Sequence, residues 1–377
     1  MSHDRVLFIA TVYTHLAAFH IPFMRFLQDK GYEVHAAASP TEGRKEEVEA
    51  IGVTCWDVPF ARSPYNPRNI RAFSRLKNLL RNHHYDLIHV HTPVAAFLGR
   101  YLAKMTHGNQ VLYTAHGFHF YDGAPRPNWL IYYTAERIAA NWTDGLIVMN
   151  SEDYQNAKRM GFRPGHNLFY VHGVGVNVKE FYSQDTMGRS FRNELGIRPD
   201  DVVITCVAEL NENKNHTFLL DGWSRLTQHN DQIHLLLVGT GDQVGPLKEK
   251  VRQQRLPRVH FLGYRTDVPR ILSNTDIATL VSKREGLPRS IMEGMAAGKP
   301  TVASDIRGNC DLIEDGCTGF LVELGDVDGL VAAFERLILD QDMRDRMGAA
   351  GRARIEVYDL DNVLVEMAKV YDCYLSR

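Results

Sequence analysis

The sequence predicts an α/β protein built from two successive doubly wound domains, each with a parallel sheet covered by helices on both faces. Short apolar runs alternate with amphipathic stretches, which is typical of strands and helices in parallel sheets. One loose stretch, residues 172–201, interrupts this alternation, and the pattern then restarts. At 377 residues, the chain is also longer than a domain with a single hydrophobic core usually is.

The first half predicts five strands and six helices in alternation. The predicted strands are residues 6–11, 34–38, 87–91, 111–115 and 146–150. The predicted helices are residues 19–30, 46–51, 69–82, 95–105, 129–141 and 152–160. The stretch 172–201 carries glycines, charges and one predicted helix near Phe191, and we interpret it as the hinge between the domains.

The second half repeats the alternation and then ends in helices. Its predicted strands are residues 202–208, 234–238, 259–262, 277–281, 301–304 and 319–322. Its predicted helices are residues 216–228, 245–254, 268–274, 290–297, 311–314 and 326–339, followed by helical residues 343–375. Open parallel sheets bind ligands at the carboxyl ends of their strands, so we expect the ligand in a cleft between the domains.

Composition narrows the class of protein. The hydrophobic fraction of 44% and the charged fraction of 23% are those of a globular protein, and a net charge of −2 argues against nucleic-acid binding. The N-terminus predicts no signal peptide, and no apolar run is long enough to span a membrane. Five cysteines without a C-x-x-C pair fit reduced thiols, so we expect a cytoplasmic protein.

The stretch from Glu285 to Ser304 is the most informative, because it places two carboxylates around a helix start. Pro288 is predicted in the first turn, and the helix 290–297 follows with Glu293 inside it. A helix N-terminus favours phosphate, and carboxylates accept hydrogen bonds from sugar hydroxyls. The pattern indicates a nucleotide sugar, although an amphipathic helix with a solvated glutamate face has the same pattern.

This stretch, with Asp276 before it and residues 309–322 after it, resembles the donor half of retaining GT-B glycosyltransferases of family 4. The segment around His116 is similar to the histidine loop of that family's first domain. Residues 173–181 and 238–241 are similar to its hinge and its second-domain glycine loop. Within the family, the chain most resembles enzymes that extend lipid-linked sugars for bacterial exopolysaccharide, capsule or glycan assembly.

The resemblance implies a GT-B fold and a sugar transfer. It assigns residues 1–175 to an acceptor-binding domain, 176–355 to a donor-binding domain, and 356–377 to a helix that packs back toward the first domain. The implied reaction moves a hexose or N-acetylhexosamine, with retention, from a UDP-sugar to a sugar on polyprenyl diphosphate. No cofactor or metal is expected, since both D-x-D sequences, at residues 326–328 and 359–361, lie at helix starts where aspartate is a cap.

The resemblance also assigns residues to roles. Glu293 is expected to accept both ribose hydroxyls, Glu285 to face the sugar, and Lys214 to stabilise the leaving diphosphate. The other predicted donor-binding residues are Leu287, Pro288, Arg289, Ser290, Gly239, Tyr264, Arg265 and Asn213. His116 is expected beside the donor sugar, and His15 and His20 beside the acceptor; read without the resemblance, such histidines are more often satisfied structural residues.

Two features depart from the family pattern. Glu209 stands where the family usually has an arginine, and Asn211, Asn213 and Arg289 are candidates to replace that cation's function. The first-domain loop reads Thr-Val-Tyr-Thr-His at residues 11–15, where paired glycines are usual.

Residues 62–81, which we call the basic segment, carry arginines and one lysine but no acidic residue. Their apolar residues recur at helical spacing, which fits either peripheral contact with the inner face of an anionic membrane or packing on the core. Two other functions also stay open: a nucleotide-sugar epimerase or hydrolase of the same fold, and a non-catalytic nucleotide-sugar sensor.

Overall fold

The computed structural model describes residues 4–106, 109–182 and 188–375. The chain divides into two compact units, one formed by Met1–Val174 with Asp361–Arg377 and the other by Gly175–Leu360. Each unit holds one parallel sheet with helices packed against it. This confirms the predicted fold class of two doubly wound parallel-sheet units.

The sheet of the first unit is parallel throughout, and its strand order reverses between two central strands. Its strands are β1 (Arg5–Val12), β2 (Glu33–Ser39), β3 (Thr54–Asp57), β4 (Leu87–His91), β5 (Gln110–Ala115), β6 (Gly145–Val148) and β7 (Leu168–Tyr170). Within the described residues the order is β3-β2-β1-β4-β5-β6-β7, so the carboxyl ends of β1 and β4 border a crevice. The outer strands β3 and β7 were not predicted, because β3 is a half-exposed edge strand of mixed polarity and β7 has three residues.

The helices of this unit follow the predicted order with one correction. They are α1 (Tyr13–Phe19), α2 (Ile21–Asp29), α3 (Lys45–Glu49), α4 (Arg68–Asn82), α5 (Pro93–Thr106), α6 (Arg126–Asn128), α7 (Thr134–Ala139) and α8 (Ser151–Arg159). The single helix predicted at residues 19–30 is wrong at its start: two helices meet at His20. Pro22 lacks an N–H and its ring cannot continue the preceding helix, so α1 ends before it and α2 begins.

The second unit repeats the plan of the first. Its strands are β8 (Val202–Val207), β9 (Ile233–Val238), β10 (Val259–Gly263), β11 (Ile277–Leu280), β12 (Thr301–Ser304) and β13 (Gly319–Val322). Its helices are α9 (Gly188–Glu194), α10 (His216–Leu226), α11 (Val244–Gln253), α12 (Val268–Ser273), α13 (Arg289–Ala296), α14 (Asn309–Leu312), α15 (Val327–Leu339) and α16 (Gln341–Ile355). The strand order β10-β9-β8-β11-β12-β13 reverses between β8 and β11.

The last helix, α17 (Leu360–Asp372), carries side chains that bond to the first unit. Tyr371 Oη lies 3.0 Å from His89 Nδ1, and Glu366 Oε1 lies 2.6 Å from His172 Nδ1. None of the helices in the described residues is both long enough and apolar enough to cross a bilayer.

An ion pair between Arg100 and Glu136 is buried in the core of the first unit. Arg100 of α5 has a side chain only 1% exposed, and its Nη1 donates to Glu136 Oε2 at 2.8 Å. The guanidinium also lies over the ring of Tyr113, 4.2 Å from its centroid. Glu136 therefore compensates a charge that has no access to bulk water.

Glu136→Ala should lower the free energy of unfolding by about 3–5 kcal/mol, because it leaves the Arg100 guanidinium buried without its counter-charge. Urea unfolding followed by circular dichroism measures this loss. Glu249→Ala is the control, since Glu249 pairs with Arg252 on the exposed face of α11. A loss for Glu136→Ala no larger than that for the control would contradict the assignment.

Candidate functional site

Lys214 and Glu285 meet at the point where the strand order of the second sheet reverses. Lys214 lies in the turn after β8, and Glu285 lies in the loop after the neighbouring strand β11. Lys214 Nζ is 2.5 Å from Glu285 Oε1, and the side chains are 21% and 11% exposed. The structure therefore brings these two predicted residues together as a half-buried ion pair at the carboxyl edge of the sheet.

Asn213 ties the two loops that carry this pair. Its carbonyl accepts from Lys283 N at 2.7 Å, and its side-chain Nδ2 donates to the Arg284 carbonyl at 3.0 Å. Asn211 Oδ1 caps the turn by accepting from Lys214 N at 3.1 Å. These bonds hold Lys214 opposite Glu285.

The glycine loop after β9 packs against the backbone of the segment that leads to Lys214. A Cβ on Gly239 would lie 2.0 Å from the Ala208 carbonyl oxygen, and one on Gly241 would lie 2.2 Å from that of Leu210. Only glycine allows this close approach, so the loop packs directly under the chain that leads to Lys214. The predicted contact of Gly239 with a donor stays a prediction.

Helix α13 begins one residue earlier than predicted. Pro288 has extended backbone angles and is the N-cap, so it precedes the first turn that the sequence assigned to it, and Arg289–Ala296 form the helix. Ser290 lies in the first turn, and Leu287 packs against the core. The backbone N–H groups at the start of this helix therefore follow closely on Glu285 in the chain.

Glu293 is a buried carboxylate on α13. Its side chain is 13% exposed, and Oε1 accepts from Arg289 Nε at 2.9 Å. Burial raises the pKa of the Glu293 carboxyl above its ordinary value, and the charge of Arg289 opposes this shift. Arg289 therefore forms an ion pair with Glu293, one helical turn away on α13.

The remaining predicted donor residues follow β10. Tyr264 is exposed, with 66% of its surface accessible. Arg265 makes a bidentate ion pair with Asp267, with distances of 2.7 and 2.6 Å. In this structure Arg265 is therefore engaged by a carboxylate of its own loop.

Arg307 is a cation of this edge that the sequence reasoning missed. It follows β12, the neighbour of β11, and its Nε donates to the Glu285 carbonyl at 3.1 Å. The sequence feature that could have revealed Arg307 is an arginine three residues after a central strand. Glu209, at the position where an arginine is usual, is exposed.

The first unit gathers four histidines at the carboxyl edge of its sheet. His15 lies on α1, His20 between α1 and α2, His91 at the end of β4, and His116 just after β5. His15 Nε2 is 3.3 Å from both His20 Nε2 and His116 Nε2, and His116 Nε2 is 3.4 Å from His91 Nδ1. We call these four residues the histidine cluster.

The structure therefore joins three predicted histidines and adds His91. The sequence reasoning missed His91 because it ends an apolar strand and reads as part of the core. Its position at the carboxyl end of a central strand was the usable signal.

The imidazoles of the histidine cluster are neutral at pH 7. Burial lowers the pKa of His116 to about 4. It also lowers the pKa values of His15, His20 and His91 well below the ordinary value, and neighbouring imidazoles add to this effect.

A pocket of about 540 Å³ opens beside the cluster in the first unit. His15 reaches its wall, together with residues of the basic segment, of α5 and of the stretch 131–136. The lining includes Thr11, His15, Arg62, Asn69, Thr92, Phe97, Leu98, His119, Ile131, Tyr132 and Glu136. The wall is thus largely apolar with a few polar groups.

Helix α4 packs most of its apolar face inward. Ala72, Leu76, Leu79 and Leu80 are buried in the core. Ile70 and the preceding Tyr65 are 74% and 79% exposed, and the arginines at 68, 71, 75 and 81 are exposed as well. The outer surface of the basic segment thus combines positive charge with two apolar side chains.

Comparisons with known proteins agree with this geometry. Two family models match: "Glycosyltransferase Family 4" over residues 23–172 and "Glycosyl transferases group 1" over residues 188–354. The putative glycosyltransferase EpsD of Bacillus subtilis is 35% identical and covers 99% of this chain and 97% of its own length.

A second relative and a solved structure extend the comparison. The UDP-Gal:alpha-D-GlcNAc-diphosphoundecaprenol alpha-1,3-galactosyltransferase of Escherichia coli is 27% identical over 82% of this chain and 80% of its own. Anabaena Alr3699/HepE, solved with UDP and glucose, superposes with a TM-score of 0.81 at 19% identity, covering 98% of this chain and 100% of its own. At that identity the likeness shows the fold.

Proposed function

Because this chain belongs to family 4 of the glycosyltransferases, we propose that it moves a hexosyl or N-acetylhexosaminyl group from a UDP-sugar to a sugar on polyprenyl diphosphate, with retention of configuration. The observation that carries the proposal is the Lys214–Glu285 pair beside the start of α13. The name of the Escherichia coli relative gives a UDP-sugar donor and a diphosphoundecaprenol-linked acceptor, which supports both substrate classes.

The donor half of the reaction needs a cation for the leaving group and an anion for the sugar. In our proposal Lys214 and the N–H groups at the start of α13 stabilise the negative charge that develops on the diphosphate. Glu285 faces the sugar and favours its cation-like ring, and Glu293 accepts the ribose hydroxyls. In the structure as it stands, each carboxylate is held by a nearby cation until a donor replaces that contact.

Retention follows in this proposal if the acceptor hydroxyl attacks on the face that the diphosphate leaves, with a phosphate oxygen taking its proton. No metal is proposed at the diphosphate, because Lys214, Arg307 and the helix start supply positive charge there. Arg307 is our candidate for the cation that Glu209 fails to provide, since its guanidinium already contacts the Glu285 backbone.

The acceptor half is proposed to use the pocket of the first unit. Its apolar wall suits a hydrophobic carrier or the faces of sugar rings, and His15 supplies a polar group within it. Tyr65 and Ile70, which are exposed near Pro64 and Asn69 of the pocket lining, suit contact with lipid. His116 keeps the expected role beside the donor sugar, and His20 that beside the acceptor.

Lys214→Met should reduce turnover by about 10²–10³-fold, because the charge on the leaving diphosphate loses its closest cation. The assay offers a panel of UDP-sugars together with polyprenyl-diphosphate sugars and detects products by mass spectrometry. Lys283→Met is the matched control, since Lys283 lies in the adjacent loop and pairs with the exposed Glu212.

Full turnover by Lys214→Met would reject the donor-site assignment. Product from the donor alone would favour the epimerase or hydrolase, and donor binding without turnover on any acceptor would favour the sensor.

The affinity for UDP should fall as the pH is lowered from neutral, and the fall should begin above the ordinary glutamate range. The reason is that burial raises the pKa of Glu293 from the usual 4.5, so the carboxylate that accepts the ribose hydroxyls is protonated earlier on acidification. Isothermal titration calorimetry in a series of buffers measures this.

Glu293→Gln should bind UDP weakly at every pH and lose this step, whereas Glu212→Gln, which removes an exposed carboxylate, should keep it. A pH profile shared by Glu293→Gln and the unchanged protein would show that another group titrates.

The protein should float with anionic liposomes at low salt and less at high salt, because each basic residue near an anionic surface contributes about 1 kcal/mol. The double substitution Arg68→Glu with Arg71→Glu should remain at the bottom of the gradient. Arg252→Glu, which reverses an exposed charge on α11, should float like the unchanged protein. An unchanged protein that stays at the bottom would remove membrane contact from the proposal.

A further inference from the structure

We propose that the histidine cluster binds one transition-metal ion of the Zn²⁺ class, with one nitrogen from each of His15, His20, His91 and His116 as ligands. This site goes beyond the proposed transfer reaction and departs from the expectation, drawn from the sequence, that the protein holds no metal. Four arguments support it, from distance, hydrogen bonding, burial and position.

The spacing of the nitrogens matches a tetrahedral ion. Zinc–nitrogen bonds of about 2.0–2.1 Å in a tetrahedron place neighbouring nitrogens about 3.3–3.4 Å apart. The contacts His20–His15, His15–His116 and His116–His91 measure 3.3, 3.3 and 3.4 Å. One nitrogen from each of the four rings lies within 4.8 Å of the others, and the separations longer than about 3.4 Å have to shorten when a single ion binds all four.

Hydrogen bonds between the rings do not account for this arrangement. A neutral ring nitrogen is either a donor or an acceptor along one direction. Yet His15 Nε2 faces two ring nitrogens at 3.3 Å, and His116 Nε2 also faces two. Lone pairs that converge on one point are the arrangement that a metal ion satisfies.

The burial of the cluster leaves polar atoms uncompensated. His20 and His91 are 2% and 0% exposed, and within the described residues His20 Nδ1 and His91 Nε2 have no hydrogen-bond partner. The neighbouring His89 shows the contrast, because its two nitrogens contact Tyr371 Oη and Thr114 Oγ1. An ion held by His20 Nε2 and His91 Nδ1 does not bond to these two atoms, but it offsets part of the cost of burying the two rings.

Because of the position of the cluster, a bound ion links several segments of the first unit and fixes the proton of His116. The ligands come from α1, the α1–α2 junction, β4 and the residue after β5, so one ion ties together the loops of three adjacent strands. Ligation at His116 Nε2 fixes the proton on Nδ1, which leaves that nitrogen as a hydrogen-bond donor. The four neutral nitrogen ligands select ions such as Zn²⁺ over Mg²⁺ or Ca²⁺, which prefer oxygen.

The test uses the purified full chain, stripped with a chelator and titrated with Zn²⁺ against a competing indicator. We expect one ion per chain by elemental mass spectrometry, a higher Tm with Zn²⁺ but not with Mg²⁺, and the strong visible absorption of tetrahedral Co²⁺ when Co²⁺ is used.

His15→Gln, chosen because His15 is one of the two half-buried members, should weaken Zn²⁺ binding by about 100-fold or more and abolish the Co²⁺ bands. His91→Gln should act in the same way, with circular dichroism confirming that both variants fold. His35→Gln is the matched control, because His35 is a buried histidine whose nitrogens already contact Tyr85 and Glu33. Absence of stoichiometric binding, or binding that survives in both cluster variants, would overturn the inference.

Discussion

The candidate site residues of both units depend on one constraint, the reversal of strand order in a parallel sheet. Where the order reverses, the chain leaves neighbouring strands in opposite directions, and the loops at their carboxyl ends stay uncovered. In the second unit these are the loops after β8 and β11, which carry Lys214 and Glu285. In the first unit they are the segments after β1 and β4: helix α1, which carries His15, follows β1 directly, and His91 ends β4.

The two units keep polar groups at that edge by different electrostatic means. The second unit retains ionised side chains and compensates each one with a partner, as Lys214 does for Glu285 and Arg289 for Glu293. The first unit packs imidazoles so closely that burial removes their charge. An anionic, hydrogen-bonding ligand suits the first arrangement, whereas a group that binds lone pairs suits the second.

Sequence reasoning recovered the strands that lie inside each sheet, because a strand buried on both faces is a continuous apolar run. It missed β3, whose edge position makes it half-exposed, and it joined α1 and α2 across Pro22. The resemblance identified Lys214 and Glu285, but their contact depends on loops that no local pattern fixes. It also named His15, His20 and His116 without predicting that they meet in one cluster with His91, because these residues come from segments separated by as many as 101 residues.

The departure at Glu209 illustrates how such a site tolerates a change that looks severe in the sequence. Glu209 is exposed, so water screens its charge, and the glycine loop packs under the backbone at Ala208 and Leu210 whatever the side chain at 209 is. The bonds of Asn211 and Asn213 that hold the turn around Lys214 do not use the Glu209 side chain. Arg307 adds a cation that contacts the Glu285 backbone, so the edge of the sheet keeps positive charge although one family arginine is absent.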